Sequence, residues 1–186
     1  MICKKAEEQM HSEDLPLFQT KRLLIRQLTA DDFDVMYAVY SDAEAMRWVD
    51  DGQPISREEC IRWIEITQKN YAAYGYGMSA LVLRSSGAVI GFCGLVHPGG
   101  QPEAEIKYAL LRDYWGQGFA SEATQGMIDY GVRTFGLRKI IATIDPDNLA
   151  SQRVMAKVGM EHVETQQNED GTFTEIFARR FGETMS

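Results

Sequence analysis

Apolar residues recur along this chain at two spacings, one typical of helices and one typical of strands. Apolar side chains three or four residues apart, each set preceded by a capping residue, predict helices that begin near Thr29 and Ser56. The same spacing predicts a helix that begins at Phe119. A further short helix is expected to end at Gly159, since glycine commonly follows the last helical turn.

Runs of apolar and β-branched residues, bounded by turn residues, predict seven strands. The runs cover residues 22–28, 78–83, 89–96, 104–111, 140–144, 160–167 and 173–181. Gly91 and Gly94 interrupt the third run, which indicates a bulge or a close approach of another group to the backbone. The order of these elements, without an internal repeat, predicts one mixed α/β (α+β) domain over residues 15–186 after a flexible segment 1–14.

Length and charge narrow the classes of function. A chain of 186 residues is long enough to bury the core of one domain. The formal net charge of −8 argues against nucleic acid as a partner, because phosphate binding normally shows as a basic excess. The acidity fits a cationic substrate only weakly, since many cytoplasmic proteins are acidic for solubility alone. Since no apolar run reaches the ~20 residues of a membrane span and the N-terminus lacks an apolar signal core, we expect a cytoplasmic protein that binds no membrane.

The cysteines and histidines are scattered, which argues against a metal site. Three of each occur, at no spacing typical of metal ligands or of a disulfide framework. Cys60 and Cys93 lie among apolar neighbours, where we expect them to be buried as small hydrophobic side chains. Neither has a histidine nearby in a recognisable arrangement, so we expect no covalent intermediate on cysteine.

The segment Trp115–Ala120 combines small residues with the start of a helix. Glycine lets the backbone pass close to a ligand, and a helix start offers unpaired N–H groups and the positive end of the helix dipole. Together these features predict a cradle for a pyrophosphate group. A glycine-rich turn that only ends the preceding strand is the alternative.

This segment resembles the cofactor loop of the GNAT superfamily of N-acetyltransferases. The family pattern Arg/Gln-x-x-Gly-x-Gly/Ala is matched at Gly118 and Ala120, while Trp115 stands where Arg or Gln is usual. The run Tyr-Trp-Gly-Gln-Gly-x-Ala-x-Glu-Ala is similar to the branch that includes the ribosomal-protein N-terminal acetyltransferases. The resemblance extends from about residue 17 to 181, through further matches at Thr20–Leu23, Asn148–Ser151 and Lys157–Met160.

The resemblance implies a GNAT fold and acetyl-CoA as co-substrate, without a metal. The expected fold is a central, mostly antiparallel twisted sheet of about seven strands, flanked by helices and splayed at the fourth strand. Main-chain groups of that strand should pair with the pantetheine arm, and the loop should hold the pyrophosphate. Arg112, Arg153 and Lys157 should bind the adenosine-side phosphates, with solvated surface charge as the alternative. The residues assigned to the cofactor are Tyr108, Ala109, Leu110, Arg112, Trp115, Gly116, Gln117, Gly118, Phe119, Ala120, Ser121, Asn148, Ser151, Arg153 and Lys157.

Two carboxylates and a serine are candidates for the chemistry of acetyl transfer. An ammonium acceptor must lose a proton before its nitrogen attacks the thioester, so a base is needed. Relatives often place this base on the fourth strand, where Glu103, Glu105 and Lys107 alternate onto one face. Glu105 is the first candidate and Glu103 the second, with a solvated strand-end carboxylate as the alternative. For the leaving thiolate, Met155 stands where many relatives carry a tyrosine, and Ser151 is the nearest replacement unless it only bonds the helix backbone.

The acceptor side is less well defined by the sequence. Glu44, Trp48 and Glu103 are candidate substrate contacts, with a core position as the alternative for Trp48. Because no cysteine has a histidine partner, we expect direct transfer in a ternary complex, to a protein N-terminus or a small amine. A homodimer is expected because dimers are common among relatives. Two other interpretations stay open. A Rossmann-type nucleotide-binding domain would need a third glycine where Ser121 stands, and a non-catalytic acetyl-CoA sensor would explain the missing tyrosine.

Overall fold

A computed structural model describes residues 16–49 and 52–182, and the predicted flexible segment 1–14 lies outside them. Within this part of the chain, eight strands form one sheet that is flanked by five α-helices. The strands are β1 (Pro16–Gln19), β2 (Leu23–Gln27), β3 (Met78–Leu83), β4 (Val89–Val96), β5 (Ala104–Leu110), β6 (Lys139–Ile144), β7 (Glu161–Gln167) and β8 (Phe173–Arg180). The helices are α1 (Phe33–Tyr40), α2 (Ala43–Met46), α3 (Arg57–Tyr74), α4 (Phe119–Phe135) and α5 (Leu149–Lys157).

The strands follow the order β1-β2-β3-β4-β5-β6-β8-β7 across the sheet. Every neighbouring pair is antiparallel except β5 and β6, which run parallel. This parallel pair is joined at only two positions, Ala104 with Ile140 and Glu105 with Ile141. Beyond Glu105 the two strands no longer pair, so the sheet opens there. The predicted fold class is confirmed, and the predicted fourth strand is β5.

Strand β1 raises the number of strands from the predicted seven to eight. It forms the edge of the sheet beside β2, and Pro16 begins it across a register shift. Proline suits the first residue of an edge strand, because it has no N–H to give to the ladder. Only two of the four residues, Leu17 and Phe18, are partly buried apolar side chains, so the alternation is too short to stand out in the sequence.

The predicted helix starts near Thr29 and Ser56 are confirmed. At the start of α3, Ser56 Oγ accepts from the Glu59 N–H at 3.2 Å and the Glu59 carboxylate accepts from the Ser56 N–H at 2.8 Å, which closes a capping box. After Thr29 a 3₁₀ turn, Ala30–Asp32, precedes α1. Asp32 is held by Arg26, whose two Nη groups each lie 2.7 Å from a carboxylate oxygen.

Hydrophobic clusters lie on both faces of the sheet. On one face, α4 and α5 bury Met127 and Met155 against the strands. On the other face, α1 packs Met36 against Phe92 of β4, and α3 covers the same cluster. Successive residues of a strand point to opposite faces, so Phe92 and Cys93 belong to different clusters.

Cys60 and Cys93 are fully buried free thiols, as predicted. Burial raises the pKa of the Cys93 thiol to about 12, and burial also raises the pKa of Cys60. Because the thiolate is the nucleophilic form, neither cysteine is suited to attack a thioester at neutral pH.

The glycines of β4 mark a close backbone approach, which the sequence predicts. A Cβ on Gly94 would lie 2.3 Å from the carbonyl oxygen of Gly77, and a Cβ on Gly91 would lie 2.3 Å from that of Ala109. The register between β3 and β4 also shifts beside Gly91. Both expected features, a bulge and a close contact, therefore occur in this strand.

Candidate active site

The sheet opens toward the carboxyl ends of β5 and β6, and α4 and α5 begin at that edge. Strand β5 continues into the loop 111–118 and α4, while β6 continues into a short turn and α5. Because the two strands are parallel, the elements that follow them leave from the same end of the sheet. The two segments that resemble cofactor segments of the family therefore lie on either side of one opening.

The backbone of β5 turns one row of polar groups toward this opening. The Leu111 N–H donates to the Ile90 carbonyl of β4 at 2.9 Å. Main-chain groups alternate in an antiparallel ladder, so those of Ala109 point toward β4 and those of Tyr108 and Leu110 point toward the opening. Of the residues assigned to the pantetheine arm, Tyr108 and Leu110 are thus the two with main-chain groups on the open side.

The loop between β5 and α4 is exposed and rich in glycine. Gly116 and Gly118 have φ values of 71° and 80°, and a Cβ on Gly116 would meet none of the described atoms within 4 Å. Trp115 Nε1 donates to the Leu110 carbonyl at 2.8 Å, while 42% of Trp115 is exposed. This hydrogen bond therefore holds the loop against the end of β5, and the Leu110 carbonyl already accepts a hydrogen bond from the indole.

Helix α4 begins without a side-chain cap. Gly118 is its N-cap residue, and within residues 16–49 and 52–182 no cap hydrogen bond from a side chain is present there. Phe119 at the first helical position is buried, which anchors the helix start beneath the loop. Uncapped N–H groups at an exposed helix start are suited to bind an anion.

Glu105 lies at the last position at which β5 pairs with β6, and its carboxylate is buried. Only 2% of the residue is exposed. Oε1 lies 2.6 Å from Lys107 Nζ, and it also accepts from the hydroxyl and the N–H of Thr143 on β6. Oε2 accepts from Gln101 Nε2 at 3.2 Å. These donors compensate the burial of a charged group, and the alternative of a solvated strand-end carboxylate is wrong.

Glu103 has more open surroundings than Glu105. Its Oε1 accepts from Lys139 Nζ at 2.9 Å, and about a third of each side chain is exposed. The hydrogen bond from Lys139, together with its charge, lowers the pKa of Glu103. A lower pKa makes a carboxylate a weaker base, which counts against Glu103 as the proton acceptor.

A tyrosine hydroxyl meets Ser151 across the opening. Tyr108 Oη donates to Ser151 Oγ at 2.9 Å, which links β5 to the first turn of α5. Burial raises the pKa of Tyr108 to about 12, so this hydroxyl stays protonated at neutral pH. The Ser151 N–H donates to Asn148 Oδ1 at 3.1 Å, so Asn148 caps α5 and fixes the position of Ser151.

The Tyr108 side chain is a candidate that sequence analysis does not identify. Met155, at the position where a tyrosine is common in relatives, is buried in the core. The structure instead supplies a tyrosine hydroxyl near Ser151 from β5. Strand alternation places Tyr108 on the face opposite Glu105, but that signal cannot tell which helix the side chain meets.

The three cations assigned to the adenosine side have different surroundings. Arg112 Nε lies 2.8 Å from Asp42 Oδ2. Arg153 lines a groove between α5 and the β7–β8 hairpin, and Lys157 is exposed in the last turn of α5. Their assignment to phosphates stays a prediction.

Glu44 and Trp48, the candidate acceptor contacts, lie in and just after α2. Glu44 is exposed, and Trp48 is partly buried, with the Arg47 guanidinium carbon 4.6 Å from the centroid of its ring. Asp42 caps α2 by accepting from the Glu44 N–H at 2.9 Å, and it also pairs with Arg112. The helix that carries Glu44 is therefore tied to the start of the cofactor loop.

Residues 16–49 and 52–182 contain neither a candidate metal cluster nor a helix that could span a membrane. No group of three or more His, Cys, Asp or Glu in these ranges could hold a metal ion. No helix in the same ranges is long and apolar enough to cross a membrane.

The sequence of this chain is similar to those of known acetyltransferases. Residues 22–161 match the model of the acetyltransferase (GNAT) domain. The N-acetyltransferase YnaD of Bacillus subtilis (strain 168), itself uncharacterized, is 33% identical over 141 residues, which are 76% of this chain and 80% of YnaD.

Solved structures with the same fold include acetyltransferases. A GNAT-family acetyltransferase from Bacillus anthracis is 26% identical, with a TM-score of 0.75 over 87% of this chain and 96% of that chain. RimL, a ribosomal L7/L12 alpha-N-protein acetyltransferase in complex with coenzyme A, shares the fold at 19% identity, with a TM-score of 0.75 over 89% of this chain and 98% of that chain. The opened sheet, the glycine loop and the family match lead to one conclusion. This chain belongs to the GNAT family of acetyltransferases, enzymes that use acetyl-CoA.

Proposed function

We propose that this protein transfers the acetyl group of acetyl-CoA to a primary amine by direct attack within a ternary complex. The observation that carries the proposal is the position of Glu105, which lies where β5 parts from β6. The main chain of the same strand turns polar groups toward the opening. A thioester laid along β5 and an amine beside Glu105 would therefore meet at one place.

The residues around the opening fit a pantetheine arm that ends in a diphosphate. Tyr108 has its N–H and C=O on the open side of β5, where an extended chain can pair with them. The uncapped start of α4 offers N–H groups to the diphosphate. The open space beside Gly116 allows phosphate oxygens to approach the backbone.

We assign to Glu105 the acceptance of the amine proton. The carboxylate takes one proton from the ammonium, directly or through water, and the freed nitrogen lone pair attacks the thioester carbon. The C–S bond then breaks as the sulfur leaves, and the second nitrogen proton passes to water. Oε1 is held by Lys107 and by both donors of Thr143, whereas Oε2 accepts a single hydrogen bond, from Gln101. Oε2 is therefore the oxygen that takes the proton.

We assign to Ser151 the protonation of the leaving sulfur. Because Tyr108 donates to Ser151 Oγ, the serine proton can pass to the sulfur while the Tyr108 proton passes to the serine oxygen, and water restores the proton of Tyr108. Water can also protonate a thiolate whose conjugate thiol has a pKa of about 8.5, so this contribution to rate is smaller than that of the base.

The acceptor we propose is a protein N-terminus or a small amine in the cytoplasm. An alpha-N-protein acetyltransferase among the structural neighbours supports the first choice, and the exposed carboxylate of Glu44 suits a cationic acceptor of either kind. The expected homodimer rests on the family resemblance alone.

Thiol release from acetyl-CoA with a panel of amines tests the proposed function. The panel contains α-amino peptides, lysine, polyamines, free amino acids and aminoglycosides. We expect at least one amine to accelerate thiol release and to appear acetylated by mass spectrometry. Coenzyme A binding without release for any amine would favour the non-catalytic sensor, for which the buried Met155 is the supporting observation.

A further inference from the structure

Arg22, the residue before β2, reaches the cofactor loop from the N-terminal part of the sheet. Its Nη1 donates to the Gln117 carbonyl at 2.9 Å, and its Nε lies 2.7 Å from the Glu122 carboxylate. The guanidinium also lies 4.0 Å from the centroid of the Phe119 ring. Three side-chain contacts thus join one arginine to both sides of Gly118, and the Arg22 N–H also donates to Glu122 Oε1 at 2.7 Å. The acetyl-transfer steps use no group of Arg22, so these contacts call for another explanation.

Glu122 would repel an anionic ligand if its charge were not compensated. It lies in the first turn of α4, beside the N–H groups that face the diphosphate. Burial acts to raise the pKa of Glu122, but hydrogen bonds from Thr20 and Arg22 outweigh it and the pKa is lowered. The carboxylate is therefore ionised at neutral pH, and the Arg22 guanidinium offsets its charge.

The contact with Gln117 fixes the direction of a peptide group in the loop. In a trans peptide the C=O of one residue and the N–H of the next point in opposite directions. Arg22 holds the Gln117 carbonyl on its own side, so the Gly118 N–H points away from Arg22. That N–H is the first donor of the uncapped helix start.

We propose that Arg22 is a positioning residue for the diphosphate: it offsets the charge of Glu122 and holds the Gln117–Gly118 peptide so that the Gly118 N–H faces the ligand. This inference rests on the proposed function, since it concerns the same cofactor loop. It assigns a function to the Thr20–Leu23 segment, whose Thr20 hydroxyl also donates to Glu122 at 2.7 Å.

Calorimetric titration of the full chain with coenzyme A tests the proposal. Arg22→Met keeps an aliphatic side chain over Phe119 and removes the charge and both hydrogen bonds. We expect the Kd for coenzyme A to rise at least about tenfold, since charge-assisted hydrogen bonds are lost. Binding of S-acetylpantetheine, which lacks the diphosphate, should change less than twofold when followed by ligand-observed NMR.

Arg84, the residue after β3, offers a matched control because its side chain contacts the turn that precedes Arg22. It is exposed, and its Nη1 donates to the carbonyls of Thr20 and Lys21 at 2.9 and 3.1 Å without touching the loop. Arg84→Met should therefore bind both ligands as the parent does. Equal weakening of coenzyme A by Arg84→Met and Arg22→Met would mean that Arg22 only stabilises the fold, and the proposal would be wrong.

A double-mutant cycle tests the charge directly. Glu122→Gln in the Arg22→Met background removes the uncompensated carboxylate, so we expect the affinity for coenzyme A to recover in part. If Arg22→Met does not fold, Arg22→Lys keeps the charge but cannot make both contacts, and it should show an intermediate loss. Failure of the parent to bind coenzyme A would overturn the proposed function, whereas unchanged binding by folded Arg22→Met and Arg22→Lys would overturn this inference alone.

Discussion

Helices α4 and α5 begin on either side of the same opening, yet their first turns are built differently. Helix α4 starts at Gly118, which has no side chain to cap it and adopts a left-handed conformation. Helix α5 starts at Asn148, whose side chain accepts from the Ser151 N–H. An uncapped start keeps its N–H donors for a ligand, whereas a capped start has already used one. Of two helix starts at one edge, the first is therefore suited to hold a diphosphate and the second to position a catalytic side chain.

The largest effect is expected from filling the open helix start. Gly118→Asp adds a negative charge to the uncapped helix start and forces a side chain onto a φ of 80°, with its Cβ 3.6 Å from Arg22 Nη2. Charge repulsion and the altered loop should then abolish coenzyme A binding. Gly87→Asp is the matched control, because Gly87 also has a positive φ, of 74°, and a Cβ there would meet no described atom within 4 Å. Titration calorimetry on both folded variants makes the comparison. Unchanged affinity in Gly118→Asp would remove the loop from the binding site.

A smaller effect is expected at the capped helix start. Ser151→Ala should lower kcat by about three- to tenfold, because water can replace the serine as proton donor to the sulfur. Tyr108→Phe should lower kcat to a similar extent, since Tyr108 acts through Ser151. If that is so, the double variant should be no slower than either single variant. Additive losses measured by thiol release, or a large loss of coenzyme A affinity, would contradict this arrangement.

The smallest effect is expected away from both helix starts. Cys93→Ala should retain kcat within about twofold, because a buried thiol of raised pKa takes no part in transfer. The lost sulfur should lower the free energy of unfolding by about 1 kcal/mol, which a denaturant titration can measure. An acetylated Cys60 or Cys93 trapped by mass spectrometry during turnover would contradict direct transfer.

The two helix starts also differ in how much of them the sequence predicts. The loop before α4 is local: Gly116, Gly118 and the start of the helix are close in the sequence, so their spacing predicts a phosphate cradle. The Tyr108–Ser151 contact joins residues 43 apart. This hydrogen bond forms only because β5 and β6 separate, and no local sequence pattern predicts that separation.

The burial of Glu105 also depends on contacts between residues that are distant in the sequence. Strand alternation correctly places Glu105 and Lys107 on one face, since their side chains form an ion pair. The burial comes from Thr143, 38 residues further along the chain, and from Gln101 in the preceding turn. A parallel pair that ends after two positions has no signature in the sequence of either strand. The candidate base can therefore be selected from the sequence, but its protected surroundings cannot.

The dependence of kcat on pH for Glu105→Gln, compared with Glu103→Gln, tests the proposed chemistry most directly. Glu105→Gln should lower kcat by about 10²- to 10⁴-fold near neutral pH, the usual contribution of a general base, and leave the Kd for coenzyme A unchanged. The loss should shrink as pH rises, because more of the amine is then already deprotonated. Glu103→Gln should stay within about threefold of the parent, since Glu103 is ion-paired outside the opening. A Glu105→Gln profile that overlays the parent within twofold at every pH would contradict the role of Glu105 as the base.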